Sequence, residues 1–455
     1  MQKPTHHLQR RLGLFQSTVL NMIDMVGIGP FITISLVIST MNGPWFLYAW
    51  IAGAILSTVD AMIWSELGAA YPMAGGSYNF LKEAYNKNKM GKMMSFLYIW
   101  QTIIQAPLVA ASAAIGFSQY LGYLVHLLPW QQKAVSALVI IFVTFLLYRR
   151  IDSIGKIGVL LWMGVILTLG WIIFGGISHG NILKPVKEIN NGFQWSSLFF
   201  VALGQASVKS IYSYLGYYNV CHLGGEIKNP GKNIPRSMFI SIAGIAILYL
   251  AMNISVTSVI PWQQIKYWQD TGQNNFVISI FIEKLYGKVA ANIATVMILW
   301  VAVASLFAIM LGYSRVPYAA AADGEFFKIF AKVYPVKNFP YVSLLILAGL
   351  GLVFSFLFKM RQVIDGILAM RIIVQFIGQG VGVMLLRKRN GTTHLPYKIP
   401  LYPVPVIVAI IIWLIIFLST GWKIMLYFLM VFVSGIIAYL IKAKIQKSWP
   451  FVKQG

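Results

Sequence analysis

The chain of 455 residues is 58% hydrophobic and only 11% charged, less than half of the roughly 25% charge usual in a soluble globular domain, so a soluble fold is excluded and a polytopic membrane protein is expected. The lone cysteine, Cys221, excludes an intramolecular disulfide and any cysteine-built metal cluster. The net charge of +24 follows from where the basic residues fall: 25 of the 36 Lys and Arg lie in segments that share one side of the membrane when the N-terminus is cytoplasmic, which is the positive-inside pattern and not a nucleic-acid surface.

Apolar spans are predicted near 13–40, 45–70, 93–121, 133–149, 155–177, 195–222, 237–260, 288–313, 341–358, 363–386, 403–420 and 422–442, about twelve in all. Residues 1–12 and 443–455 read as cytoplasmic tails. No cleavable signal peptide is expected, because the first apolar stretch is too long and has no small-residue cleavage site.

The first span carries Gly27-Ile28-Gly29-Pro30-Phe31 at its centre. Glycine and proline there disfavour an uninterrupted helix, and in lipid a break is tolerated only where the freed backbone faces protein, water or ligand. A half-helix beginning near Pro30 would aim amides and a partial positive charge at an anionic group such as a carboxylate. Asp24 lies one turn before the break and is a candidate to orient this helix, meet a substrate ammonium or carry a proton.

The second span holds Asp60 and Glu66. An ionisable group within a span is a functional candidate by default. Asp60 is the deeper of the two, whereas Glu66 precedes the turn Tyr71-Pro72 and suits an ion pair near the membrane face. In the third span Gln101 and Gln105 fall one turn apart on one face. The sixth reads Lys209-Ser210-Ile211-Tyr212-Ser213-Tyr214-Leu215-Gly216-Tyr217-Tyr218-Asn219. Gly216 interrupts it at mid-span, and paired interrupted helices at corresponding places in two halves point to a transporter's central site. The segment between spans seven and eight, with Trp262, Tyr267, Trp268 and Asp270, suits an external lid or an interfacial anchor. Ser305 in the eighth span and Arg371, Gln375 and Gln379 in the tenth complete the polar core. The last three form one helix stripe, which must face the interior, since an arginine turned to lipid costs roughly 3 kcal/mol or more.

Several stretches resemble the amino acid–polyamine–organocation (APC) permeases: Val26 to Phe31; Glu66-Leu67-Gly68-Ala69-Ala70-Tyr71-Pro72 with Gly75-Gly76-Ser77-Tyr78; Gly225-Glu226-Ile227-Lys228-Asn229-Pro230; Ser314-Arg315-Val316-Pro317-Tyr318; and Leu395-Pro396-Tyr397-Lys398-Ile399-Pro400. The stretch Tyr214–Asn219 is also similar to L-type amino acid transporters and, more distantly, polyamine permeases. The resemblance implies an all-α membrane fold of five helices plus five in inverted repeat, at 13–177 and 195–386, with two added helices at 403–442. It implies a secondary transporter working by alternating access. The substrate carboxylate would meet the backbone at Ile28–Phe31 (Ile28, Gly29, Pro30, Phe31) and its ammonium the carbonyls at Tyr212–Gly216 (Tyr212, Tyr214, Gly216), with Asp24, Gly27, Tyr217 and Asn219 completing the expected substrate site. Asp60, Gln101, Gln105, Lys209, Ser305, Arg371 and Gln375 are the candidates for coupling or for the polar core. The chain departs from such relatives in placing Trp162 or Met163 where proton-coupled members keep a lysine, and in having Lys209 in the sixth helix.

The loop near 122–132 lacks the cysteine that bonds animal L-type transporters to a partner chain, so a stand-alone protein of a bacterial inner membrane is expected, with both termini cytoplasmic. An amino acid or related amine is the expected substrate, and no cofactor beyond a coupling ion, H⁺ or Na⁺, is implied. A cationic amino acid or polyamine is the alternative, favoured by Asp24 and Asp60 and opposed by Lys209 and Arg371. A membrane enzyme is a different class of reading, but the six histidines are scattered and no Walker-type loop is present.

Overall fold

The computed structural model describes residues 8–86, 89–149, 151–189, 195–272, 276–358 and 360–451. The basic residues Lys3, Lys87, Arg150 and Lys453 lie outside them. In chain order the helices are α1 Leu14–Met25, α2 Gly29–Met41, α3 Leu47–Ala70, α4 Ser77–Ala84, α5 Met90–Leu121, α6 Pro129–Leu147, α7 Ile151–His179, α8 Leu183–Glu188, α9 Ser197–Tyr214, α10 Asn219–His222, α11 Pro230–Val259, α12 Trp262–Thr271, α13 Val277–Ala322, α14 Tyr341–Leu357, α15 Met360–Arg371, α16 Gly378–Asn390, α17 Val404–Ser419 and α18 Trp422–Ile445. Among the described residues β-pairing is limited to two isolated bridges, Leu12–Ile227 and Ala74–Leu223.

Among the described residues seven helices are long and apolar enough to cross a membrane, eight when α1 and α2 are taken as one bent span, and α14 and α17 are shorter apolar helices. The remaining expected spans coincide with interrupted helices: α9 and α10 in the sixth, and α15 and α16 in the tenth, joined by a π-helical turn, Ile372–Ile377. α13 exceeds its expected span because a first segment from Val277 runs into the kink at Gly287, where φ is 82°. A π-turn inserts an extra residue into the ladder and often marks a functional position.

Local chemistry sets these ends. Pro30 sits in the first turn of α2, where its missing N–H costs no helix bond. Asn42, left-handed at φ 50°, closes the other end of α2. The outward faces of α6, α7 and α18 are apolar, with Phe145, Leu167 and Ile441 among the exposed side chains. Polar side chains such as Asp60, Arg315 and Arg371 are buried. Apolar outside and polar within is the order that a lipid solvent imposes.

Candidate functional site

The interrupted helices of the first and sixth spans meet at their breaks. α1 and α2 are bent by 46° across Val26–Ile28, and α9 stops at Tyr214 before the chain turns through Gly216 into α10. Gly216 has φ +120°, and a β-carbon there would lie 2.8 Å from the Asp24 carbonyl carbon and from Met25 N. Only glycine both adopts that backbone and allows this approach. The freed polar groups are shared between the breaks. Tyr249 Oη lies 2.7 Å from the Met25 carbonyl oxygen and 3.0 Å from that of Ser213, bonding to both. Asn21 Oδ1 accepts from Val220 N at 2.9 Å, and Thr33 and Ser213 hydroxyls join α2 to α9 at 2.8 Å.

Between the breaks lies a cavity of about 40 Å³, room for about three waters. Its walls are helix faces read at three- and four-residue spacing. α1 and the break contribute Asp24, Gly27, Ile28 and Gly29; α5 contributes Val109, Ser112 and Ala113; α9 and its break contribute Tyr212, Ser213, Gly216 and Tyr218; α13 contributes Ser305, Ile309 and Tyr313; α15 contributes Ile367 and Arg371. Gly27 is needed for Ser305, whose Oγ lies 2.5 Å from where a β-carbon would sit.

Arg371 is the fixed cation of this wall and is 2% exposed. Its Nη2 donates to the Tyr313 hydroxyl. Gln105, with its amide oxygen turned to the guanidinium, accepts from Nε at 2.6 Å and from Nη2. The guanidinium also lies over the rings of Tyr218 and Tyr313, 5.5 and 5.3 Å from their centroids. Nη1 has no hydrogen-bond partner among the described residues. Asp24, partly exposed in the cavity, is the acidic residue of the same wall.

The structure gathers Asp24, Gly27, Ile28, Gly29, Tyr212, Gly216, Ser305 and Arg371 at the cavity. Other expected residues lie behind it. Pro30 is buried in the first turn of α2, and the Phe31 carbonyl accepts from Tyr120 Oη at 3.1 Å. Tyr214 packs edge-on against Trp50 and Tyr249. Asn219 donates to the Ala308 carbonyl at 2.9 Å. Asp60 accepts from Tyr217 Oη at 2.5 Å and from Trp413 Nε1 at 3.0 Å, so the pair clamps α3, the sixth-span break and α17 together outside the cavity. Gln101 is buried on α5, and Gln375 Nε2 donates to Ser77 Oγ at 3.2 Å. Lys209, expected beside the site, is directed along its own helix, with Nζ 3.3 Å from the Gln205 carbonyl. Met163 is 52% exposed on the outer face of α7 and so does not point into the core.

Ser213 falls within the expected stretch Tyr212–Gly216, whereas Ser112, Tyr218 and Tyr313 were not among the expected site residues. A helical-period signal for two of them was available: Ser112 follows Gln105 by seven residues, and Tyr313 follows Ser305 by eight, both returning to the same helix face. Tyr212 Oη donates to Ser112 Oγ at 2.9 Å, which ties that face to α9.

Residues 12–440 match the model of a single family, described as amino acid permease. The chain belongs to the amino acid permease family. It is 25% identical over 412 residues to the serine/threonine exchanger SteT of Bacillus subtilis (strain 168), covering 89% of each chain. It is 23% identical over 464 residues to the branched-chain amino acid permease BcaP of the same organism, covering 96% of this chain and 94% of that one. A methylthioribose transporter, also from B. subtilis, is 23% identical over 431 residues, with 90% and 88% covered. The family and these relatives are transporters, and the all-α fold is consistent with that of the family.

In this permease charges are paired on the side where α1 begins. Arg315 donates to Glu226 through Nη2 (3.0 Å) and Nε (3.3 Å), both side chains being buried; Arg315 lies within α13, which continues past the expected end of the eighth span at 313. The Glu226 carbonyl accepts from Arg11 N and Leu12 N at 2.9 and 3.0 Å, and Lys228 N returns a bond to the Leu12 carbonyl at 2.8 Å. This zips the chain before α1 to the chain after α10. Glu66 is held by Arg387 Nε at 2.8 Å and by Ile399 N at 2.8 Å, and Lys82 pairs with Asp323 at 2.6 Å. On the opposite end α12 lies on α2: Ser35 donates to Gln269 Oε1 at 2.8 Å, and Ser39 donates to Asp270. Bonds from Lys266 and then from Ser39 hold the Asp270 carboxyl below its usual range.

Proposed function

We propose that this permease carries a small zwitterionic amino acid across a bacterial inner membrane by alternating access, with both termini cytoplasmic and with helix repeats at 13–177 and 195–386. The observation that carries the reading is that both helix breaks open onto one cavity, which holds one carboxylate, Asp24, and one guanidinium, Arg371. In this reading the substrate carboxylate lies at the N-terminus of α2, where Ile28, Gly29 and Phe31 retain N–H groups and Pro30 has none. The ammonium lies toward Asp24 and the carbonyls freed between Tyr212 and Gly216. Two opposite ends met by two opposite features fix the orientation of an α-amino acid without any metal or cofactor. The small cavity and its lining of Ser112, Ser213, Ile28 and Ile309 favour a short side chain, polar or aliphatic, and the relatives named for serine, threonine and branched-chain amino acids are in keeping with that.

A cationic amino acid or polyamine is the second reading, and Asp24 favours it. Arg371 opposes it, because a second positive charge would be brought toward a buried guanidinium with little water to screen the repulsion. Uptake of labelled serine, leucine, lysine and putrescine into proteoliposomes, with and without H⁺ or Na⁺ gradients, decides between them. Accumulation of a neutral amino acid supports the first reading, accumulation of lysine or putrescine alone supports the second, and transport of none of these or other amino acids overturns both.

A further inference from the structure

A second hollow of about 550 Å³ lies between α6 and α14 and shares no lining residue with the central cavity. Its floor is made of small side chains, Thr144, Ala348 and Gly349, and a β-carbon built on Gly349 meets nothing within 4 Å. Ile141, Phe145, Leu345 and Leu352 form its apolar walls, with Ile141 54% and Phe145 66% exposed. On helices that cross a membrane such faces look into lipid. One end is different. There α6 stops, and Arg149 and Lys337 stand together at the rim: Lys337 Nζ donates to the Tyr148 carbonyl at 2.8 Å and lies 5.0 Å from the Tyr148 ring centroid, while Arg149 lies over the Phe145 ring. None of the lining residues is acidic.

We propose that this groove is a binding site for an anionic phospholipid, its acyl chain lying along α14 and its phosphate held by Arg149 and Lys337. The dimensions agree. From Arg149 back to Ile140, and from Leu345 on to Leu352, the lining spans seven to nine residues, or about 10–14 Å at 1.5 Å per residue. That is most of the depth of one leaflet, half of a hydrocarbon core about 30 Å thick. The charge agrees as well: the described lining residues carry two cations and no carboxylate, which attracts a negative headgroup, and the basic rim places the lipid in the leaflet that faces the positively charged loops. Lys337 keeps two further N–H donors beyond its bond to Tyr148, and the Arg149 guanidinium supplies a planar fork for phosphate.

The test is native mass spectrometry of the purified, delipidated permease titrated with phosphatidylglycerol or with phosphatidylcholine of the same acyl chains. sn-Glycerol 3-phosphate serves as the headgroup without a chain. Two basic groups at the interface, each contributing about fivefold, predict roughly a thirtyfold preference for phosphatidylglycerol. Arg149→Gln/Lys337→Gln is expected to abolish the preference. Gly349→Leu, which fills open space and leaves both cations in place, is expected to reduce retention of the lipid itself. Soluble glycerol phosphate is expected not to compete. Equal retention of the two lipids by the wild type, or phosphatidylglycerol retention unchanged in both variants, overturns the proposal. So does full competition by glycerol phosphate, which would mark a free-phosphate site instead.

Discussion

Gly216→Ala is the smallest change that attacks the joint between the two breaks. Its consequence follows from two distances and an angle. The backbone there has φ +120°, and the new methyl carbon falls 2.8 Å from both the Asp24 carbonyl carbon and Met25 N and 2.9 Å from Asp24 Cβ. A non-glycine residue in a sparsely populated φ/ψ region costs about 1–3 kcal/mol. Forcing a methylene into close-packed neighbours costs about another 1–3 kcal/mol. The neighbours are backbone, so no rotamer change relieves the overlap, and α1 must move away from the sixth-span break. The total, about 2–6 kcal/mol, is a large part of the ~5–15 kcal/mol that holds a folded domain. If only about 1.4 kcal/mol of it falls on the binding-competent arrangement, apparent substrate affinity drops about tenfold. The assay is concentration-dependent uptake in proteoliposomes beside thermal unfolding of the purified protein. Gly170→Ala serves as control because a β-carbon at Gly170 meets nothing within 4 Å. Uptake and melting temperature for Gly216→Ala equal to those of Gly170→Ala would refute the reasoning.

Asp60→Asn leaves one of the two partners Tyr217 and Trp413 facing an amide donor, and is expected to cost about 1–3 kcal/mol. Because Asp60 lies behind the cavity, melting should fall while the substrate concentration for half-maximal uptake stays near wild type. Arg315→Ala strands the buried Glu226 carboxylate, with an expected loss of about 3–5 kcal/mol. Thermal unfolding checks that cost, and recovery in Arg315→Ala/Glu226→Ala would show that the pair, not the arginine alone, is responsible. Arg371→Gln keeps a donor but removes the charge. Uptake of lysine relative to a neutral amino acid should rise, and an unchanged ratio would remove Arg371 from substrate selection.

Much of this architecture was legible because lipid imposes simple rules. The apolar spans were readable from their length, and both breaks from glycine and proline where a helix should be continuous. Glu66 was read as an ion-pair residue, and it pairs with Arg387. Depth along a helix, however, does not say which way a side chain points. Asp60, Tyr217 and Asn219 were readable as mid-membrane polar groups, yet their bonds to neighbours turn them from the cavity. The same holds for Lys209, whose long stem carries its ammonium to the backbone of its own helix. Gly53, which the pattern of an unbroken helix makes look innocuous, is packed against Tyr214, with ring carbons 2.8 and 2.9 Å from its β-carbon position. That is tighter than Gly29, where Tyr212 lies at 3.2 Å. Such cross-helix distances are fixed by tertiary packing, and no single span encodes them.

The central claim is that the substrate sits at the first-helix break, and Gly29→Val tests it most directly. A side chain at Gly29 is directed toward Tyr212 and Ser213, which line the cavity with it, and would occupy the approach to the α2 amides. The measurement is the rise in melting temperature of the purified permease on adding an amino acid that the wild type takes up, since a ligand that binds only the folded protein stabilises it. Gly170→Val, on the open face of α7, is measured alongside. The account predicts that Gly29→Val still melts cooperatively but loses the ligand-induced rise, while Gly170→Val keeps it. A full ligand-induced rise in folded Gly29→Val would place the substrate elsewhere and contradict the account.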